Sequence, residues 1–199
     1  KPKGTLITHR NVVNYVSNNK YNVRSEILDN NCNKILSVTT AGFDIFVTET
    51  HLALMNGYRI IMANSEEQMV ANKFSELINN YEPEVLQTTP SRMKIILSSK
   101  GGQKCLKKLK FIMLGGEKVE MDLVSRLYEH TDAVIENVYG PTETTVWSTY
   151  TKIKDEKDIH IGKPIANTQI YILDKHMNPT PIGEKGELCI AGDHVSPGY

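Results

Sequence analysis

Apolar and polar positions fall along this chain in blocks of two kinds. Short β-prone runs bounded by turn residues occur at KILSVTT (34–40), YRIIMA (58–63), EVLQTT (84–89), LKFIML (109–114) and AVIENV (133–138). Between them lie stretches whose apolar residues recur at helical spacing. FDIFVTETHLALMNG (43–57) reads as a helix with Asp44 near its start and Gly57 suited to its stop. Ser65 followed by Gln68 fits a capping box for a helix over 66–80, with Met69, Val70, Phe74, Leu77 and Ile78 as its core-facing stripe. Further helices are expected over 91–99, ending at Gly101-Gly102, and over EMDLVSRLYEH (120–130). Strand–helix alternation of this kind predicts an α/β fold, a mostly parallel sheet flanked by helices.

After about Tyr150 the texture changes. TQIYILD, MNPTPIGEKG and ELCIAGD are short strands separated by Gly, Pro and Asn turns. The expected division is therefore an α/β part over 1–150 and a β-rich part over 151–199, with no internal repeat.

Composition narrows the function classes. Lys plus Arg number 23 and Asp plus Glu 23, so the formal net charge is zero, and no basic stripe with interleaved aromatics points to nucleic acid. Apolar runs are too short to span a bilayer, so no membrane partner is expected. Cys32, Cys105 and Cys189 are odd in number and far apart, which reads as reduced thiols of a cytoplasmic protein. The chain opens on KPKGTLITHRN and closes on VSPGY, neither of which resembles a frayed domain tail. It reads as a piece of something longer.

In an open α/β sheet, ligands sit beyond the carboxyl ends of the parallel strands. Four polar or Gly-rich groups fall at such ends: Asp44, Gln87 to Pro90, Gly115-Gly116-Glu117, and Tyr139 to Glu143. The last is the most chemically loaded, since Tyr139-Gly140-Pro141-Thr142-Glu143-Thr144 joins a ring, a rigid turn, hydroxyls and a carboxylate. A flat ring can stack on a nucleobase, hydroxyls can bond phosphate oxygens, and a carboxylate can hold Mg²⁺ beside phosphates. The plainer reading of the same residues is a solvated turn.

These residues resemble a known family. NVYGPTE (137–143) is similar to the Asn-x-Tyr-Gly-Pro-Thr-Glu signature of adenylate-forming enzymes, specifically the amino-acid adenylation domains of nonribosomal peptide synthetases. KPKG at 1–4 resembles the tail of that family's phosphate loop, FDIFVTE its Phe-Asp-x-Ser segment, and GELCIAGDHVSPGY its Gly-Glu-Leu-x-Ile-x-Gly segment, with HIGKPIANTQIYILD between. The matches run in family order along essentially the whole chain. The resemblance implies the large N-terminal domain of such an enzyme, as a fragment entering a small β-barrel-like unit. The ribose-binding Asp, the hinge and the catalytic Lys of the small C-terminal lid would lie beyond Tyr199, and the first half of the phosphate loop before Lys1. The fragment by itself is accordingly expected to be inactive.

The implied reaction activates an amino acid with ATP and Mg²⁺ to the aminoacyl-adenylate, then passes it to a phosphopantetheine thiol on a peptidyl carrier domain. Carried over by position, Thr142, Glu143 and Lys3 would be catalytic. Thr142 would bond the α-phosphate, Glu143 would hold Mg²⁺, and Lys3 would belong to the phosphate loop. Tyr139 would stack on adenine, with Asn137, Gly115, Gly116, Glu117 and Gly140 lining the nucleotide site. Asp44 would pair with the substrate ammonium, the competing reading being a helix cap.

The side-chain pocket implied by the resemblance comprises Ile45, Thr48, Gln87, Ile112, Leu114, Val138, Val146 and Trp147. Phe46 replaces the family's usual Ser, Thr48 stands where Trp is common, and Leu114 stands where Gly or Ala is frequent. No Lys, Arg or second acid lines this set, so a small uncharged amino acid is expected, with glycine foremost. Alternatives on the same fold are a free-standing D-alanyl carrier-protein ligase or an acyl-CoA ligase, and Asp44 speaks against the acyl-CoA ligase. A non-catalytic nucleotide-binding module is a third reading, and the presence of Thr142 and Glu143 speaks against it.

Overall fold

The computed structural model describes residues 4–17, 19–23, 27, 31–155 and 159–199. Lys3 lies outside them. β1 (Lys34–Ser37), β2 (Arg59–Met62), β3 (Val85–Thr88), β4 (Phe111–Gly115) and β5 (Val134–Tyr139) pair in parallel in the order β2-β1-β3-β4-β5. β3 and β4 are buried at every position, the condition under which a central parallel strand reads as a continuous apolar run. β6 (Thr149–Lys152) joins β5 antiparallel and β7 (Lys163–Pro164) joins β6 antiparallel, completing a seven-stranded sheet. The main sheet therefore continues past residue 150. The separate two-stranded antiparallel sheet pairs β8 (Thr168–Leu173) with β9 (Glu187–Gly192).

Helices cover both faces: α1 (His9–Val16), a π-helical turn Thr48–Leu52 running into α2 (Ala53–Met55), α3 (Ser65–Met69), α4 (Ala71–Tyr81), α5 (Pro90–Leu97), α6 (Lys100–Cys105) and α7 (Met121–Tyr128). Alternation along β4 sorts the core into two layers. Ile112 and Leu114 pack with Leu86, Leu97 and Leu123 on one side of the sheet. Phe111 and Met113 pack with Tyr15, Val138 and Trp147 on the other. Among the described residues no helix is long and apolar enough to cross a membrane. Cys32, Cys105 and Cys189 form no disulfide, and burial pushes the Cys32 and Cys105 thiols up to about 11.

Three local expectations are corrected. The capping box belongs to Asn64 and Glu67, not Ser65 and Gln68: Asn64 Oδ1 accepts from Glu67 N at 3.0 Å, and Glu67 Oε2 from Asn64 N at 2.8 Å. Asn64 is the last extended residue, so Ser65 already sits inside the helix. The helix over 66–80 is broken at Val70, which is extended at φ −104, ψ 113. That break turns Met69 outward to 82% exposure while Phe74, Leu77 and Ile78 stay buried. Gly101-Gly102 does not end a helix but lies within α6, which Ser99 caps by accepting from Gly102 N at 3.0 Å. A Cβ on Gly102 would lie 2.0 Å from the Ile96 carbonyl oxygen, so glycine is demanded by the close approach of α5.

The segment after Asp44 matters most for the site. Its π-helical turn carries Thr48, Glu49 and Leu52 all inward, a wider turn of the kind found often at functional positions. The Glu49 carboxylate, fully buried, accepts from Ser37 Oγ (2.8 Å), Val38 N (3.0 Å), Thr39 N (3.0 Å) and Thr39 Oγ1 (2.7 Å). Burial raises its pKa and these four donors pull it back. From the other side, Arg92 donates to Val38 O at 3.0 Å and Gln68 O at 2.7 Å. The loop leaving β1 is thus held between a buried anion and a partly buried cation. Each buried donor left unpaired costs roughly 1–3 kcal/mol, so Glu49→Ala is expected to lower the denaturant midpoint of the full-length protein markedly. Glu76→Ala, which removes only an exposed pair with Lys73, should change it little. Equal midpoints for the two variants would remove Glu49 from this role.

Candidate active site

β1, β3, β4 and β5 are neighbours in one parallel sheet, so their carboxyl ends, and the four groups that follow them, meet at one edge. Two cavities open there.

The first, about 520 Å³, is lined by Gly116, Glu117, Asn137, Tyr139, Gly140 and the loop 159–161, among other residues. Gly116 takes φ +80, a left-handed conformation that only glycine adopts without strain. Asn137 Nδ2 donates to His160 O at 2.8 Å and so fixes the loop that faces Tyr139. Tyr139 stays partly exposed, presenting its ring to this space. Apart from Lys118 and His160, the remaining wall is mainly apolar, which suits a flat heterocycle. Glu117 has a positioning part instead of an open one: its carboxylate accepts from Ser91 N at 2.9 Å and Ser91 Oγ at 2.5 Å, tying the Gly115-Gly116 turn to the start of α5.

The turn after β5 is tightly constrained. Ser148 N donates to Tyr139 O at 2.7 Å, closing the turn on itself. A Cβ on Gly140 would lie 2.5 Å from Val146 O and 2.8 Å from Ser148 N, so no larger residue fits. Thr145 and Val146 are both left-handed, at φ 57 and 71, each a conformation costing of order 1–3 kcal/mol. Thr145 Oγ1 donates to His194 O at 2.7 Å, and Thr144 Oγ1 bonds Ser148 Oγ at 2.6 Å. The threonines are thereby separated by role: Thr144 and Thr145 are buried staples, while Thr142 is exposed and its hydroxyl makes no hydrogen bond among the described residues.

The second cavity, about 780 Å³, includes Gly4, Thr5, Asp44, Phe46, Thr142, Glu143, Val146 and Tyr199 in its lining. It gathers residues from both ends of the chain, because Leu6 N donates to Gly198 O at 2.8 Å and Ser196 N to Glu143 O at 2.7 Å. The Tyr199 hydroxyl donates to Glu143 Oε1. Asp44 caps no helix: its carboxylate makes no hydrogen bond or ion pair among the described residues, and only its carbonyl is used, accepting from Val47 N at 2.8 Å. Among the described residues no group of three His, Cys, Asp or Glu could cage a metal. One carboxylate beside a free hydroxyl does suit Mg²⁺ that arrives with phosphates, since that ion keeps most of its ligands from substrate and water.

Behind Asp44 lies a buried hydrogen-bonded wall. Gln87 Nε2 donates to Ile45 O at 3.0 Å, and Trp147 Nε1 donates to Gln87 Oε1 at 2.9 Å. Thr48 Oγ1 bonds the Tyr15 hydroxyl at 2.7 Å. A Cβ added to Gly115 would meet Trp147 Cη2 and Val138 Cγ2 at 2.6 Å each. Ile112 and Leu114, expected here from the sequence, are not part of this wall. Their side chains pack on the opposite face of the sheet, and Met113 and Gly115 face Gln87, Val138 and Trp147 instead. The cause is the two-residue period of a strand, on which an offset of one reverses every face. Gly115, not Leu114, is thus the small residue of the pocket.

The comparisons with known proteins agree with this architecture. The family model described as AMP-binding enzyme matches residues 1–199. Bacitracin synthase 1 of Bacillus licheniformis is 36% identical over 204 residues, covering 100% of this chain and 4% of that protein. The dimodular nonribosomal peptide synthase of Bacillus subtilis (strain 168) is 32% identical over 203 residues, covering 100% of this chain and 8% of the synthase. The chain therefore spans a small fraction of the length of these relatives. A crystal structure of a four-domain nonribosomal peptide synthetase bound to AMP and glycine has a TM-score of 0.87 and 33% identity, covering 98% of this chain and 14% of that one. An N-terminal subdomain of NpsA from Klebsiella oxytoca, at 22% identity and TM-score 0.85, covers 100% of this chain and 49% of its own and shares the fold. With its whole length matched, and with the NVYGPTE turn seated between the two cavities, the chain belongs to the AMP-binding enzyme family.

Proposed function

We propose that this chain is the ligand-binding part of an amino-acid adenylation domain in a nonribosomal peptide synthetase. The complete domain would condense ATP with a small uncharged amino acid, glycine foremost, releasing pyrophosphate, and would pass the aminoacyl group to a phosphopantetheine thiol on a peptidyl carrier domain. The observation that carries this reading is the pair of adjoining cavities, one facing the Tyr139 ring and one holding Asp44 and Glu143, joined by a single strained turn.

In this mechanism the adenine stacks on Tyr139 over the Gly115-Gly116 turn. The substrate ammonium pairs with Asp44, whose carboxylate has no competing partner, and this aims the substrate carboxylate at the α-phosphorus. Attack builds negative charge on the phosphate oxygens, and the unengaged Thr142 hydroxyl donates to them. Glu143 is the residue that would hold Mg²⁺, which when bound supplies positive charge beside those oxygens. The 140–148 turn is already closed and strained, so these groups need little reorganisation as charge develops.

The substrate's size follows from the wall behind Asp44. Trp147 is held by Gln87, and its ring occupies the space that a side chain on Gly115 would need. A glycine-bound relative at 33% identity supports the same direction. Asp44 supports an amino acid over a fatty acid, since an acyl chain offers it no cation.

Glu143→Gln in the complete domain should lower amino-acid-dependent ATP–pyrophosphate exchange by roughly 10²–10³ with the fold retained, the usual size of a lost transition-state contact. Near-normal exchange at limiting Mg²⁺ would refute the assignment. For Asp44→Ala the expected loss is in amino-acid affinity, of about 3–5 kcal/mol, because the ammonium is left buried without a partner. An unchanged KM for the amino acid would exclude Asp44 from the site. Across the twenty amino acids and D-alanine, exchange should be highest with glycine, and some alanine activation is expected because a hydrophobic pocket discriminates by only about 1–3 kcal/mol per methylene. Preference for an aromatic or charged amino acid would overturn the pocket reading.

A further inference from the structure

Thr48 poses a problem of volume. It follows Asp44 by one turn, has a small side chain, and is fully buried. A threonine fills little volume behind the Asp44 turn, and cores of folded proteins leave few voids. Something else must occupy the site.

The occupant comes from a distant part of the chain. Tyr15, near the end of α1, is 1% exposed, and its hydroxyl meets Thr48 Oγ1 at 2.7 Å. Its ring belongs to the same apolar cluster as Met113, Val138, Val146 and Trp147, with Ile45 packed against that cluster. Burial pushes the phenol well above its ordinary pKa, the Thr48 hydrogen bond pulls it back, and the charges of Asp44 and Glu136 push it up further. The placement rests on geometry: Tyr15 bonds Thr48, and the Thr48 and Val47 amides donate to the carbonyls of Ile45 and Asp44 in the turn that bears the proposed ammonium partner.

We propose that Tyr15 is a specificity-determining residue, an aromatic ring supplied by α1 that fills the space left by Thr48 and so limits the size of the amino acid. This rests on the amino-acid pocket described above. The hydrogen bond has a second effect: it engages the Thr48 hydroxyl with the protein, so that this group is not offered to a substrate side chain. Tyr15 would act by volume and by holding Thr48, without touching the reacting atoms.

The test uses the complete adenylation domain and reads kcat/KM for glycine, alanine, valine, leucine and phenylalanine by pyrophosphate exchange. Direct binding of the same amino acids by calorimetry and the KM for ATP are measured alongside. Tyr15→Leu should raise valine or leucine relative to glycine at least tenfold with the KM for ATP within about twofold, and adding Thr48→Trp to it should restore the original discrimination. Tyr15→Phe keeps the ring and the fold, and should retain discrimination against large side chains whatever its turnover. An unchanged size profile in Tyr15→Leu would overturn the proposal. If that variant does not fold, gain of valine or leucine activation by Tyr15→Phe would overturn it equally, and retention would support it. The wild-type profile separately tests the small-substrate reading. A wild type that prefers a large amino acid defeats that reading, whereas the role of Tyr15 is judged on the change that each variant makes.

Discussion

A carboxylate shut away from water must find donors, and the Glu49 side chain finds four of them in the three residues that leave β1. That requirement organises the ligand-binding edge. The π-helical turn that brings Glu49 inward also brings Thr48 inward, and the same short segment ends in the turn that bears Asp44. Because Arg92 grips the other side of the loop through Val38 O and Gln68 O, the β1 exit is tied both to the start of α5 and to α3. The Asp44 carboxylate thus makes no hydrogen bond among the described residues, while Glu49 five residues on is saturated with them. One acid anchors the segment and leaves the other available.

The turn after β5 works on the same division of labour. Its Gly140, Thr144, Thr145 and Ser148 are spent on closing the turn, and the strain at Thr145 and Val146 is held by a bond to the carbonyl of His194. His194 itself is fully buried, its ring bonded to Thr168 Oγ1 at 3.1 Å and its pKa lowered by burial. Two stretches far apart in sequence, NVYGPTE and the segment after β9, therefore act as one structural unit. What remains exposed on it is the small set with chemistry to offer: Tyr139, Thr142 and Glu143.

The parallel sheet and the ligand edge were legible in the sequence because both leave local signals, β-prone runs of six or seven residues followed by glycine, proline or hydroxyl clusters. Asp44, Gln87, Tyr139 and Glu143 could be placed from such signals alone. Faces were harder to read. LKFIML suggested a strand ending at Leu114, but the strand runs to Gly115, and the pocket positions carried over by resemblance, Ile112 and Leu114, are one residue out and so lie on the opposite face. The Gly101-Gly102 pair misled for a related reason, since a glycine needed for close helix packing looks the same in sequence as one that ends a helix. Tyr15, Glu49 and the strained pair at 145–146 carry no local signature at all. Their importance arises from contacts with residues 33, 12 and 49 positions away.

The approach of Gly115 to Trp147 makes the pocket strongly epistatic. With the indole held by Gln87, any side chain at 115 collides with it and also with the Val138 side chain and carbonyl, so changes at 115 are closed off unless both neighbours give way. Shrinking Trp147 first would leave the Gln87 carbonyl without its donor and open a void beneath Ile45. A larger cavity must therefore be reached through a destabilised intermediate or by changing 87, 138 and 147 together. Divergence of this pocket should proceed by blocks of coupled positions, as recombination of whole segments allows, more readily than by single steps.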